Sequence, residues 1–281
     1  VSGIKIGVIG GSGVYKIEGV EVVHEHKVLT PFGNPSADVI EAKLNGTSFY
    51  FIPRHGKGHS LTPSEVNYRA NIFALKELGV EYIISISAVG SLKEEFPPGS
   101  FVIPDQFIDW TKGKRERTFF GNGIVGHTSV AEPVDLQLQK MIVDVCIDVG
   151  IKHGSGGSYI CIEGPQFSSK AESHIYRSFG ASVIGMTNVP ESYLAKEAGM
   201  AYATIAMVTD YDCWKEEHCT LDEIMKVMAG NNNQAHAVLK KLLPKLQANL
   251  FPIKKENTYS IMSKPETLST DQSRILKVLL G

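Results

Sequence analysis

A chain of 281 residues with 43% apolar side chains can bury a sizeable core, as one large α/β domain or two small ones. Its 28 Lys and Arg against 30 Asp and Glu leave a formal net charge of −2, with no basic excess for a nucleic-acid backbone and no polybasic run for an anionic membrane. No apolar run approaches a membrane span, and Cys146, Cys161, Cys213 and Cys219 form no CxxC pair, which fits reduced thiols in a cytoplasmic protein.

Short β-branched runs alternate with longer amphipathic stretches, the pattern of helices packed on a central sheet. Strands are expected at residues 5–9, 49–52, 82–87, 101–103, 158–162, 182–185 and 203–208. Helices are expected at 67–78, 136–149, 170–179, 189–198, 221–246 and 270–279. No repeat or change of composition divides the chain. A single domain over 1–250 is therefore predicted, with 251–281 as a tether and last helix of the same domain.

The first strand runs into Gly10-Gly11-Ser12-Gly13, a tight turn whose amides and hydroxyl can face an anion. Lys16 stands where a dinucleotide GxGxxG needs a small residue, and no GK[ST] follows. Ser12 among glycines then reads equally as a plain turn or an oxyanion site. Arg54 and His55 follow the second strand in Pro53-Arg-His-Gly-Lys-Gly-His59, where a planar guanidinium suits phosphate and the alternative is a solvated basic loop. His55 and His59 have no nearby acid or Cys to complete a metal set. Ser85-Ile-Ser-Ala-Val-Gly-Ser91 is expected to end a third strand in small residues, offering the Ser87 hydroxyl and the Ala88 amide.

Glu163-Gly-Pro-Gln-Phe-Ser-Ser169 closes a further strand and presents Phe167, either core or a flat apolar platform. Gly185-Met-Thr-Asn-Val-Pro-Glu191 supplies Met186 as a soft apolar contact and Thr187 as a hydroxyl near a helix start. The run 203–208 then delivers Asp210 and Asp212, two apart where the chain leaves the sheet, so on an extended segment they would point the same way. The plainer reading is a turn or helix cap. Tyr211, Cys213 and Trp214 form a mostly apolar wall, an environment that raises a carboxyl pKa until it donates a proton. Together, these strand ends describe a pocket for a phosphate beside a flat heterocycle.

IGVIGGSG, PRHG, NYRANIFALKELG, DQFID, EGPQFSS, GMTNVPE and VTDYDCW, in this order, resemble the 5′-methylthioadenosine phosphorylase family over about residues 5–246. The resemblance implies one α/β domain, a central mixed β-sheet flanked by helices, of the trimeric purine nucleoside phosphorylase type. It puts phosphate against Ser12, Arg54, His55, Ser87, Ala88 and Thr187. Met186 would lie under the ribose, Phe167 against the purine, and Asp210 and Asp212 at the base edge. Leu221 would line an apolar 5′ pocket, and His127 would reach a neighbouring subunit's site in a homotrimer, or in a dimer of trimers. Ser12 and Ser87 stand where Thr is common and Gln166 where Arg is usual; the two serines keep a hydroxyl.

The implied reaction is phosphorolysis of 5′-methylthioadenosine in purine and methionine salvage. Its partners are a small nucleoside and inorganic phosphate, and it needs no cofactor or metal because phosphate is the nucleophile. A 6-oxopurine nucleoside phosphorylase is the nearest alternative. Such enzymes carry Glu where Ser168 stands and Asn where Asp210 stands, so both positions favour a 6-aminopurine. An alternative of another class is a nucleotide-binding protein without turnover, which would have little use for Asp210.

Overall fold

Runs that are apolar on both faces belong in the middle of a sheet, and two of the most buried strands of this protein are of that kind. The computed structural model describes residues 3–11, 17–215 and 221–281, with the Leu221 side chain outside that description. Strand β1 (Ile6–Gly10) is buried at every position, and β11 (Ala201–Asp210) at every position but its last. The described residues form β1, β2 (Val20–His26), β3 (Val39–Leu44), β4 (Thr47–Pro53), α1 (Tyr68–Glu77), β5 (Tyr82–Ser91), β6 (Phe101–Ile103) and β7 (Gln106–Trp110). They continue with α2 (Leu136–Val149), β8 (His153–Ser155), β9 (Ser158–Ile162), α3 (Lys170–Ser178), β10 (Val183–Gly185), α4 (Asn188–Glu197), β11, α5 (Leu221–Ala248) and α6 (Thr270–Leu280).

Helix ends follow local chemistry. Asp135 caps α2 by accepting from the Leu138 amide, and the helix stops at Gly150 in the left-handed region. Ser169 with Glu172, and Ser269 with Gln272, make capping boxes for α3 and α6. The tail is held by packing. The Asn257 amide donates to Glu197 O and Leu279 O at 3.0 Å, Phe251 meets the Tyr82 ring, and α6 lies on α1.

One mixed sheet contains all eleven strands, in the order β2-β3-β4-β1-β5-β10-β9-β7, with β11 joining β5 to β6 and β8. Strands β4, β1, β5 and β11 run parallel, so their carboxyl ends share one rim. Strands β2, β3, β7 and β8 were not expected from the sequence. In β2 nearly every position is exposed at the sheet edge, so no alternation of polar and apolar residues marks it.

The more consequential difference lies in β5. Residues 82–91 remain one strand instead of ending at Ser87, because β11 pairs alongside it as far as Gly90. On its other side β5 pairs parallel to β1 through Ser85 and antiparallel to β10 from Gly90. Between these pairings the sheet opens. Ser87 and Ala88 therefore face a fork within a strand and not a turn. A change of strand partners of this kind leaves a crevice at the carboxyl ends.

Candidate active site

The fork is floored by a guanidinium. Arg54 follows β4 and is 2% exposed. It donates from Nε to Glu191 Oε2 at 2.6 Å and from Nη2 to Glu191 Oε1 at 2.8 Å. Nη2 also donates to Ser85 Oγ at 2.7 Å, and Nη1 to Ile86 O at 3.0 Å. Burial by itself would lower the Arg54 pKa, but the Glu191 carboxylate outweighs it and holds the group above its ordinary value. Sequence reasoning placed Arg54 in a loop as a phosphate ligand, with a solvated cation as the alternative, and missed Glu191, whose only signal is an acid near a helix start.

Glu191 lies in the first turn of α4 and is 1% exposed. Besides Arg54 it accepts from Ser85 Oγ at 2.8 Å and from the Tyr202 hydroxyl at 2.9 Å. These donors offset the cost of taking the carboxylate out of water.

His55 is half-buried, stacks on His59 with 4.4 Å between ring centroids, and its Nδ1 donates to Leu61 O at 2.8 Å. Desolvation and the adjacent Arg54 push its pKa down to about 4. The ring is neutral at pH 7, with Nε2 left unprotonated. Above Arg54, Ser87 Oγ lies 3.1 Å from the Tyr159 hydroxyl and 3.3 Å from Thr187 Oγ1, so three hydroxyls meet in one buried group. Burial pushes the Tyr159 phenol up to about 12, which keeps its proton in place.

From Thr187 the contacts lead toward the acids. Met186 packs so closely over Gly164 that a Cβ on that glycine would lie 2.4 Å from Sδ. Gly164 in turn lines a cavity of about 230 Å³ with Phe167, Ser168, Trp110 and Tyr176. Phe167 is 78% exposed at its rim. The ring is exposed here and is not part of the core. Its loop is braced from below by Arg115, another buried residue that the sequence did not single out, which donates to Glu163 Oε1 at 3.2 Å and to Val189 O at 2.7 Å.

Cys213 Sγ donates to Ser168 O at 3.1 Å, and the Ser173 hydroxyl donates to Asp212 Oδ2, tying the end of β11 to α3. Asp210 pairs with Gly90 across a register shift after Val208 and accepts from Thr209 Oγ1 at 2.6 Å. Asp212 is not on an extended segment, since its φ of 23° places it in a turn. The two acids converge all the same. A Cβ on Gly90 would lie 3.4 Å from both Asp210 Oδ2 and Asp212 Cβ, so the turn and the missing side chain bring them together. Desolvation raises both carboxyl pKa values; Asp212 adds to the shift at Asp210, while Ser173 opposes it at Asp212.

A continuous path of contacts thus joins Arg54, Ser87, Thr187, Met186, the Phe167–Ser168 loop, Asp212 and Asp210. His127 lies apart from it. That residue is exposed, and its amide donates to Ser260 O at 2.8 Å beside the carboxyl-terminal segment. Ser12 and the Leu221 side chain lie outside the described residues. Among the described residues no cluster of His, Cys, Asp or Glu has the makings of a metal site, and no helix is long and apolar enough to cross a membrane.

The model of the phosphorylase superfamily matches residues 5–244. The chain is 47% identical to S-methyl-5′-thioadenosine phosphorylase of Rhodospirillum rubrum, over 98% of this chain and 96% of the relative. It superposes with a TM-score of 0.94 on a methylthioadenosine phosphorylase from an Antarctic soil metagenomic library, at 43% identity and 99% coverage of both chains. The methylthioadenosine phosphorylase of Schistosoma mansoni in complex with adenine aligns with a TM-score of 0.82 at 37% identity, covering 88% of this chain and 93% of the other.

Proposed function

The chain belongs to the phosphorylase superfamily, and on that premise we propose that it cleaves 5′-methylthioadenosine with inorganic phosphate. The products are adenine and 5-methylthioribose 1-phosphate, which makes the protein a pentosyltransferase of purine and methionine salvage. One observation carries this reading: a single path of contacts runs from a buried anion-facing group at Arg54, Ser87 and Thr187 to a desolvated carboxyl at Asp210.

Lengthening the glycosidic bond builds positive charge on the ribose and negative charge on the leaving purine. Phosphate, held by Arg54, the Ser87 and Thr187 hydroxyls, the Ala88 amide and Ser12, with His55 Nε2 accepting from the hydroxyl of monohydrogen phosphate, approaches the anomeric carbon as nucleophile and offsets the first charge. Phosphate itself is the second substrate, and the reaction calls for no metal or organic cofactor. Asp210, whose carboxyl pKa desolvation and Asp212 raise, gives its proton to N7 of adenine and answers the second. Asp212 bonds the base edge or orients Asp210. Met186 lies under the sugar, and Phe167 lies against the base.

The 5′-methylthio group meets an apolar pocket that includes Leu221. The exposed His127 completes the corresponding pocket of a neighbouring subunit, in a cytoplasmic homotrimer or a dimer of trimers. The test is base release from methylthioadenosine, adenosine and inosine, with and without phosphate, together with light scattering at assay concentration. Adenine release that needs phosphate and prefers methylthioadenosine is expected. Turnover in phosphate-free buffer, or a preference for inosine, refutes the reaction, and a fully active monomer refutes the role of His127.

A further inference from the structure

We infer that Glu191 is the positioning residue of the phosphate site: it clamps the Arg54 guanidinium so that one Nη1 hydrogen is directed at the anion. The inference rests on the proposed phosphorolysis and adds a residue that touches neither substrate. Its basis is a count of hydrogens. Arg54 has five N–H groups. Nε and one Nη2 hydrogen go to Glu191, the other Nη2 hydrogen to Ser85 Oγ with Ile9 O at 3.5 Å as a further acceptor, and one Nη1 hydrogen to Ile86 O. Among the described residues the second Nη1 hydrogen has no acceptor. It belongs to the nitrogen bonded to Ile86 O, next in chain to Ser87, on the side where β5 has lost β1 as a partner.

Two consequences follow from the pairing. The Glu191 carboxylate cancels the Arg54 charge inside the fold, so phosphate is recognised by directed hydrogen bonds more than by net charge. Direction then depends on what holds the fork. Two parallel bonds to a carboxylate fix a guanidinium in plane and rotation, whereas a single bond leaves it free to swing. Ser85 strengthens the clamp, since its hydroxyl accepts from Arg54 Nη2 and Asn188 Nδ2 while donating to Glu191 Oε1. Glu191 and Arg54 are 137 residues apart, so the clamp also ties α4, which starts at the Thr187 turn, to the end of β4.

Glu191→Gln tests it. A Gln amide offers one acceptor oxygen and turns an NH2 toward the second Arg54 hydrogen, so one arm of the fork is lost with little change in volume. The expected result is a rise of about tenfold or more in the KM for phosphate, with the KM for methylthioadenosine changed by less than about threefold. Titration calorimetry with inorganic phosphate should show the same weakening. A purely structural residue would lower Tm and the active fraction, hence kcat, and leave both KM values alone. Ser85→Ala decides the matter if Glu191→Gln does not fold, because it removes one acceptor and one donor from the clamp; a smaller shift confined to the phosphate KM is expected. A phosphate KM that stays unchanged or falls in the folded variant, or that moves in step with the nucleoside KM, overturns the inference while the wild type remains a working phosphorylase. A wild type that releases no adenine with phosphate overturns the underlying reaction itself.

Discussion

On the proposed mechanism, replacing Asp210 by Asn removes a proton donor and leaves almost everything else in place. The side chains are isosteric, and an Asn oxygen can still accept from Thr209 Oγ1, which lies 2.6 Å from Asp210 Oδ1. Packing against Gly90 is likewise unchanged, since the Cβ that would sit 3.4 Å from Asp210 Oδ2 is absent. What is lost is the acid, because an amide gives no proton to a purine nitrogen near neutral pH. Loss of a general acid slows a reaction by roughly 10²- to 10⁴-fold. At 1.36 kcal/mol for each factor of ten, that is about 2.7–5.4 kcal/mol of barrier.

The assay is kcat/KM for methylthioadenosine at saturating phosphate, followed as adenine release across pH. Desolvation raises the Asp210 pKa and Asp212 raises it further. On the proposed mechanism the protonated form is the active one, so wild-type activity should fall as pH climbs through that raised value, and Asp210→Asn should lose that alkaline limb along with its rate. Adding Ser168→Glu, which supplies the carboxylate of the 6-oxopurine enzymes, should then move the preference toward inosine. A single mutant that keeps a near wild-type rate on methylthioadenosine would refute the reasoning and pass the role of acid to Asp212.

Two further predictions concern the framework. In Gly185→Ala the new methyl would fall 1.9 Å from the Tyr159 hydroxyl, and Tyr159 is wholly buried, so it cannot yield without breaking its contact with Ser87. A loss of stability at or above the upper end of about 1–3 kcal/mol is expected in chemical denaturation, with a raised phosphate KM in whatever folds; an unchanged midpoint sinks it. The second concerns pH. The folded His55 pKa of about 4 lies below its ordinary 6.5, so the unfolded chain takes up a proton that the native protein refuses. The stabilisation from His55 is present in full above 6.5 and is lost as pH falls from there through 4. Denaturation curves at pH 7 and pH 5 should therefore converge in His55→Gln relative to wild type, and an identical pH dependence in both proteins would remove His55 as the source.

Local pattern was enough for part of this protein. The buried runs of β1 and β11, the capped ends of α2 and α3, and the residue types at the strand ends are written in short stretches of sequence, because periodicity and turn chemistry act over a few residues. The acids at 210 and 212, the hydroxyls at 87 and 187 and the resemblance they carry were legible on the same grounds. Other features depend on distant partners and had no local mark. Arg54 was read as a phosphate ligand on a loop, but its burial was hidden because the carboxylate it pairs with is 137 residues away. The strand was expected to end at Ser87 because the distant partners that keep β5 extended to Ser91, β11 and β10, leave no local mark. Asp210 and Asp212 converge through a turn against Gly90, and Ser173 reaches Asp212 from another helix. Sheet register, burial of charge and the aim of a hydrogen bond are settled by which segments meet, and that is decided by the packing of the whole chain.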